Sequence, residues 1–261
     1  MKKNYKAIVA KIIGALLPLV IMGCSPDYVD EYGINHGKGI KVGGVVWAPV
    51  NCGYHATDYP WGKLYQWGRK YGQGYSGNLY DGDGNVLCQV LDATTPTLVE
   101  GPVSLEVGNS DSCNANVFYT DEDYNHKHDW LSHHNTTLWN SGTEKFPVKT
   151  EFDPCPKGWR VPTFNELKAL KGWTVNKLGQ PGYWFSGSYS ETSPRVFFPA
   201  AGSRSFDFGY AYDRGNCGYY WSSYPGEDCA GCADGLCFRD DKVYWYQGGR
   251  ADGLSVRCVQ D

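Results

Sequence analysis

One stretch of eleven residues, Asp153 to Thr163 (DPCPKGWRVPT), constrains the chain more than any other. Its three prolines fix φ and remove backbone donors, so neither a regular helix nor a central strand can run through it. Thr163 matches a helix N-cap, because Glu166 follows three residues later as in a capping box. The sequence therefore predicts a rigid lead into one short helix ending near Gly172, with Cys155 tying this lead to another part of the chain.

The first 23 residues have the pattern of an export signal. Three of the first six residues are lysines, and an apolar run follows at residues 12–22. This run is too short to span a bilayer and is typical of a signal peptide. It ends in the sequence IMGC at residues 21–24, which resembles the bacterial lipobox. We interpret residues 1–23 as a lipoprotein signal peptide and Cys24 as the lipid anchor; an ordinary secretory signal with a chance cysteine is the alternative.

The charge of the exported chain argues against a polyanionic partner. Removing residues 1–23 takes away four lysines and no acidic residue, which leaves 20 basic against 28 acidic side chains and a net charge of −8. Such a chain has no electrostatic attraction for nucleic acid or for anionic lipid. Membrane association is therefore expected through the lipid on Cys24 alone.

The rest of the chain divides into a tether and one domain. Residues 24–41 are polar and rich in glycine, which predicts a tether; docking of Tyr28 or Tyr32 on the folded body is the alternative. Residues 42–261 predict one α+β domain, because short aromatic or β-branched runs alternate with turn residues and only one clear helix appears. The segment 173–184 is interpreted as a turn-rich linker. The predicted strands lie at residues 45–48, 64–67, 183–186, 195–198, 218–223, 236–239, 243–246 and 254–259.

Ten cysteines in an exported chain indicate disulfides before metal ligands. Without Cys24 nine remain, so at least one is unpaired or serves another purpose. Cys217 and the cluster Cys229, Cys232 and Cys237 lie close enough in sequence for at least one disulfide.

One segment has part of a calcium-loop pattern. Asp81, Asp83 and Asn85 alternate as in the first half of an EF-hand loop, and Asp92 stands at the twelfth position. However, Val86 occupies the position that requires glycine, and no helices flank the segment. Asp-Gly repeats are first of all turn residues, so a hairpin turn is the preferred interpretation over calcium.

A second segment is rich in histidine. His126, His128, His133 and His134 fall within nine residues, and such tracts can bind zinc or copper. No cysteine lies within the cluster, so we interpret the segment 109–141 as a surface loop held by buried tryptophans, with a metal as the alternative. No cofactor motif is present, and no cofactor is expected.

Several pieces of the sequence together resemble the FISUMP (Fibrobacter succinogenes major paralogous) domain family of bacterial surface lipoproteins. The most specific are the Cys155 stretch and the sequence VRCV at residues 256–259. Supporting pieces lie at residues 46–51, 65–69 and 218–223. The resemblance extends from about residue 42 to the end of the chain.

The resemblance implies a C-type lectin-like fold, an outer-membrane position at the cell surface, and a Cys155–Cys258 disulfide. It does not imply a calcium-bridged sugar site, because Gln180-Pro181 is followed by Gly182 and Trp139-Asn140 by Ser141. It also implies a remote likeness to formylglycine-generating enzymes, although the Cys229–Cys232 spacing lacks their sequence context.

These features predict a surface binding module, an adhesin or a fimbrial tip component that recognises a glycan or protein on a host or bacterial surface. Aromatic residues are the candidate ligand contacts, namely Trp221, Tyr224, Tyr244, Trp245 and Tyr246. The alternatives are a structural fimbrial subunit, in which residues 25–41 would be donated to a neighbouring subunit, and an enzyme. Catalysis is not expected, because no Gly-x-Ser-x-Gly, His-Glu-x-x-His or P-loop motif appears.

Overall fold

The computed structural model describes residues 25–80, 86–90, 92–110, 115–121, 128–190 and 192–261, and gives only the backbone at residues 77–80 and 86–90. The signal peptide, Cys24, the candidate calcium ligands Asp81, Asp83 and Asn85, and His126 lie outside the described residues.

The described chain is mostly β, with two short helices, and it belongs to the α+β class. The helices are α1 (Leu105–Asn109) and α2 (Phe164–Lys168). The first ten strands are β1 (Asp27–Val29), β2 (Asn35–Lys38), β3 (Ile40–Val42), β4 (Val45–Trp47), β5 (Leu64–Gln66), β6 (Gly77–Tyr80), β7 (Val86–Val90), β8 (Thr97–Glu100), β9 (Val117–Thr120) and β10 (Trp159–Arg160). The others are β11 (Gly172–Asn176), β12 (Gly182–Ser186), β13 (Arg195–Pro199), β14 (Ser203–Arg204), β15 (Ala211–Tyr212), β16 (Gly218–Pro225), β17 (Cys232–Arg239), β18 (Lys242–Gly249), β19 (Gly253–Ser255) and β20 (Val259–Gln260). Within the described residues, no helix is long and apolar enough to cross a membrane.

The largest sheet has nine strands and is built around an antiparallel meander of β16, β17 and β18. β19 lies beside β16 and also pairs with β5. The sheet therefore joins strands from the N-terminal and C-terminal parts of the domain. A second sheet has the order β10-β20-β4-β3, and it brings the end of the chain against the first strands of the predicted domain. A third sheet is the antiparallel meander of β11, β12 and β13.

Two apolar cores lie on opposite faces of the β16–β17 hairpin. Trp221 points into one core, and its chain neighbour Tyr220 points into the other, as the two-residue period of a strand requires. The second core also contains Leu236 and Phe238, which lie on the same face of β17 as Tyr220 does on β16. Successive aromatic side chains of β16 therefore pack alternately into the two cores, and both faces of the strand are buried.

The segment predicted as a linker forms a strand. Residues 172–176 pair with β12 along their whole length as β11. The glycines at both ends of this segment suggest a loop, but a three-stranded sheet supplies hydrogen-bond partners that the sequence alone does not show.

Much of the segment predicted as a tether is folded onto the domain, as the alternative for Tyr28 supposed. β1 and β2 form an antiparallel hairpin, and β3 belongs to the second sheet. Tyr28 is buried at 1% exposure, and its ring meets Trp159 edge to face at 5.1 Å between centroids. Tyr32 remains exposed. The folded body therefore begins near Asp27 and not at residue 42.

The helix after the proline-rich stretch has the predicted capping box. Thr163 Oγ1 accepts a hydrogen bond from the Glu166 amide, and Glu166 Oε2 accepts one from the Thr163 amide. Arg160 holds the same carboxylate with two hydrogen bonds of 2.7 Å. The helix ends at Lys168 with Ala169 as its C-cap, one turn earlier than predicted.

The Thr163→Ala replacement is expected to lower the free energy of unfolding by about 1 kcal/mol, because one amide at the helix start loses its acceptor. Urea denaturation followed by tryptophan fluorescence measures this change. Asn165→Ala, at an exposed position of the same helix, is the control and should change stability by less than about 0.5 kcal/mol. Equal effects of the two replacements would contradict a role for the cap.

Candidate functional site

The five aromatic residues predicted as ligand contacts do not form one surface. Trp221 is completely buried, and its indole N–H donates to the carbonyl of Tyr65 at 2.8 Å. The assignment of Trp221 to a ligand site is therefore wrong, because a ring packed in the core cannot stack on an external ligand. Tyr224 is partly buried and donates its hydroxyl to Glu227.

The three aromatic residues of β18 point to alternate faces of the sheet. Trp245 is 49% exposed and lies beside α2, where its ring meets Phe164 edge to face at 5.7 Å. Tyr244 is exposed on the opposite face, where Tyr246 is half-buried against Tyr219. Trp245 is thus an exposed aromatic residue without the other members of the predicted set beside it.

A different aromatic surface lies on the outer side of β11, β12 and β13. Tyr183 and Phe185 of β12 are buried in the second core, so Trp184 between them points outward. Trp184 is 39% exposed, and its cross-strand partners are Thr174 and Phe197. The rings of Trp184 and Phe197 lie 5.0 Å apart between centroids. We call the side chains on this side of the strands, with the loop residue that follows β12, the Trp184 face; they are Thr174, Trp184, Ser186, Tyr189, Arg195 and Phe197, of which Ser186 is buried.

The register explains how the polar side chains reach this face. Gly172, Ser186 and Arg195 are paired in one row across the three strands, two residues from the row that holds Trp184. Gly172 leaves room at its end of the row, because a Cβ there would lie 2.5 Å from the Ser186 hydroxyl. The Arg195 guanidinium donates to the hydroxyl of Thr174 at 3.4 Å, which keeps the arginine over the sheet.

The polar part of the Trp184 face borders a hollow of about 530 Å³. Its lining includes Trp173, Thr174, Ser186 and Arg195 from the strands and Tyr189 from the loop, and Trp184 lies in the row next to it. Tyr189 is 80% exposed, so its ring projects into solvent. The face thus offers apolar rings beside hydroxyl and guanidinium groups, which is the usual composition of a small-ligand site.

A second hollow, of about 470 Å³, lies at the histidine-rich loop. His134 Nδ1 is 2.8 Å from a carboxylate oxygen of Asp129, and Arg250 approaches the same oxygen at 3.5 Å. Burial raises the pKa of Asp129, while the hydrogen bond from His134 and the charge of Arg250 act in the opposite direction. This geometry orients the imidazole and holds the loop to the body; Trp130 and the nearby Trp139 are buried, as predicted for this segment.

Of the two histidines predicted as weak metal candidates, His128 lies within the described residues. The ring of His128 packs against Phe206 at 4.7 Å between centroids. Among the described residues, the one group of three side chains able to hold a metal ion consists of Cys52, Cys155 and Cys258. Two of these three, Cys155 and Cys258, are joined to each other by a disulfide.

The structure contains the Cys155–Cys258 disulfide that the resemblance implied, and a second disulfide joins Cys229 to Cys232. Among the described side chains, Cys52, Cys217 and Cys237 are free and buried. Sequence reasoning did not single out Cys52, and the one available signal was the odd number of cysteines.

No protein-family model, curated protein or solved structure matches the chain.

Proposed function

We propose that the chain is a surface-anchored binding module that takes a glycan on the Trp184 face. One observation carries the proposal: the exposed Trp184 lies on a regular sheet, one row from the residues that line a polar hollow. The ring is held by its strand and by Phe197, so little conformational freedom is lost when a ligand stacks on it.

The chemistry of the face suits a sugar ring. A pyranose has an apolar C–H side that can stack on an indole, and hydroxyl groups at its edge that need hydrogen-bond partners. Thr174 is the cross-strand neighbour of Trp184 and Arg195 lies in the next row, so both can offer such partners. Ser186 is held by hydrogen bonds of its own to the carbonyls of Gly172 and Ser188, which fixes one edge of the hollow.

The wider setting of the proposal comes from the sequence motifs. The lipobox-like sequence ending at Cys24 and the FISUMP-like pieces support a lipoprotein of the outer membrane, exposed at the cell surface. They also support a C-type lectin-like version of the α+β fold. In this setting the domain acts as an adhesin or a fimbrial tip component.

The structural-subunit alternative receives less support. It would use residues 25–41 as a strand donated to a neighbour, but Tyr28 of this segment is buried in its own chain. An enzymatic role using Cys229 and Cys232 also receives less support, because these residues are joined in a disulfide.

Glycan-array screening of the chain from Ser25 onward tests the proposal, with titration calorimetry on the strongest ligand. Trp184→Ala is expected to weaken binding about 30-fold, because removing a central aromatic contact commonly costs about 2 kcal/mol.

Trp245→Ala is the matched control, since this tryptophan is similarly exposed but lies beside α2. It should leave affinity unchanged, and circular dichroism should show both variants folded. Loss of binding in Trp245→Ala with full binding in Trp184→Ala would move the site to β18. Binding to a surface protein without any glycan would overturn the glycan assignment.

A further inference from the structure

Three cysteine sulfurs meet in the core near the end of the chain. Cys155 and Cys258 form a disulfide, and the free thiol of Cys52 lies within 4.8 Å of both sulfurs. All three residues are buried. A free thiol so close to a disulfide is placed for thiol–disulfide exchange, in which a thiolate attacks one of the two bonded sulfurs and displaces the other.

The backbone pairs the segment that contains Cys52 with the segment that contains Cys258. The Ala48 amide donates to the carbonyl of Cys258 at 2.9 Å, and the Cys52 amide donates to the carbonyl of Val256 at 2.9 Å. The segment 48–52 therefore runs along the last residues of the chain. This main-chain pairing does not involve the disulfide, and it places Cys52 opposite Val256, two residues before Cys258.

Two tyrosines enclose the sulfurs. The hydroxyl of Tyr65 donates to the Cys52 sulfur at 3.3 Å, and the Tyr28 hydroxyl is 3.6 Å from the Cys258 sulfur. Tyr28 belongs to the β1–β2 hairpin, which covers this corner of the core. The three cysteines are at most 5% exposed, which restricts the access of outside thiols.

We propose that Cys52 is a third partner of this cross-link and that the chain exchanges between a Cys155–Cys258 and a Cys52–Cys258 disulfide. This proposal is independent of the proposed glycan site. The Cys52 thiolate attacks the sulfur of Cys258; the Cys52–Cys258 bond forms as the Cys155–Cys258 bond breaks. The electron pair leaves on the Cys155 sulfur, which takes up the proton that Cys52 released. One disulfide and one thiol are present before and after, so no oxidant or reductant is consumed.

The exchange is expected to be slow at neutral pH and faster in alkali. Burial raises the pKa of Cys52 to about 12, while the hydrogen bond from Tyr65 acts in the opposite direction. Below that pKa the thiolate fraction rises tenfold for each pH unit, and the exchange rate rises with it. The titratable and charged groups that act on the Cys52 thiol are Tyr28, Glu31, Tyr65, Lys149 and Asp153.

Peptide mapping of the full chain tests the proposal, because trypsin separates the three cysteines. Cleavage at lysine and arginine places them in the peptides 42–63, 150–157 and 258–261. The native protein is incubated at pH 7 and pH 9, quenched and alkylated with N-ethylmaleimide in acid denaturant, and then digested. We expect the cross-linked pair 42–63 with 258–261 to appear, with alkylated Cys155, about 100-fold faster at pH 9 than at pH 7.

Cys52→Ser is the control for rearrangement during handling and should give only the original pair. If the wild-type chain at pH 9 shows only the pair 150–157 with 258–261 and fully alkylated Cys52, the proposal is overturned.

The Cys155→Ser variant provides a second test that needs no exchange rate. Folded under oxidising conditions, it is expected to contain the Cys52–Cys258 disulfide in most molecules. Near-ultraviolet circular dichroism reports whether it has folded; a folded variant with both Cys52 and Cys258 alkylated would contradict the proposal. Should this variant not fold, the wild-type map decides. Cys217→Ser, at a free buried cysteine, is the matched control and should leave the wild-type map unchanged.

Discussion

Replacing Cys155 and Cys258 together by alanine is expected to lower the free energy of unfolding by about 4–5 kcal/mol. The two residues are 103 positions apart, and on the chain-entropy model a cross-link that closes about 100 residues restricts the unfolded chain by about 4.7 kcal/mol. Guanidinium denaturation followed by tryptophan fluorescence measures the loss. Both residues are buried, so the truncated side chains also leave space in the core and add to the effect.

The second disulfide supplies the matched control. Cys229 and Cys232 are only 3 positions apart, so the same model gives about 2 kcal/mol for their double alanine variant. The long-range disulfide should therefore cost about twice as much as the short one. A larger loss from the Cys229/Cys232 pair would show that loop length does not control the stability of this fold.

The Asp153→Ala replacement is expected to lower the free energy of unfolding by about 3–5 kcal/mol. This is the loss typically measured when one partner of a buried ion pair is removed. The carboxylate accepts hydrogen bonds of 2.8 Å from the amides of Cys155 and Val161 and from the ammonium of Lys149. Burial raises the pKa of Asp153, and the charge of Lys149 opposes that rise. Alanine leaves both amides without their acceptor and the ammonium without its counter-charge.

Urea denaturation of the Asp153 variant should be compared with Asp228→Ala, which removes an exposed carboxylate and should change stability by less than about 0.5 kcal/mol. Asp153→Asn should fall between the two, since its amide oxygen can still accept from one backbone N–H. A loss below about 1 kcal/mol in Asp153→Ala would refute the view that this carboxylate organises the proline-rich stretch.

Local features of the fold were predictable from the sequence. The capping box at Thr163 and Glu166 depends on residues three positions apart, and the structure contains it. The hairpin strands 236–239 and 243–246 were also predicted, because turn residues separate two aromatic runs. In the structure the turn between them contains Asp240 and Asp241, both with positive φ. Such features require no knowledge of which distant segments meet.

The candidate site was not predictable, because it depends on which face of each strand meets a core. Trp221 and Trp184 have the same side chain, and both stand in aromatic runs with turn residues on either side. Nothing in the two-residue period says that Trp221 points into a core while Trp184 points outward. The pairing of β12 with β11 and β13 determines that Trp184 points outward, and the sequence predicted β11 as part of a linker.

The grouping of Cys52 with Cys155 and Cys258 was beyond sequence reasoning for a related reason. The three residues come from the beginning, middle and end of the domain. The hydrogen bonds of residues 48–52 and the pairing of β10 with β20 bring both other segments to the chain end. An odd cysteine count shows that one thiol is left over without showing where it lies.

With the proposed lipid on Cys24, the burial of Tyr28 would limit the distance between the folded body and a membrane. Tyr28 is four residues from Cys24, and a fully extended chain spans about 3.3–3.6 Å per residue, so at most about 14 Å separates their positions. An acylated Cys24 would therefore hold the domain against the lipid headgroups, with little freedom to swing. Such a short connection would favour ligands that come to the cell surface over ligands that stay at a distance from it.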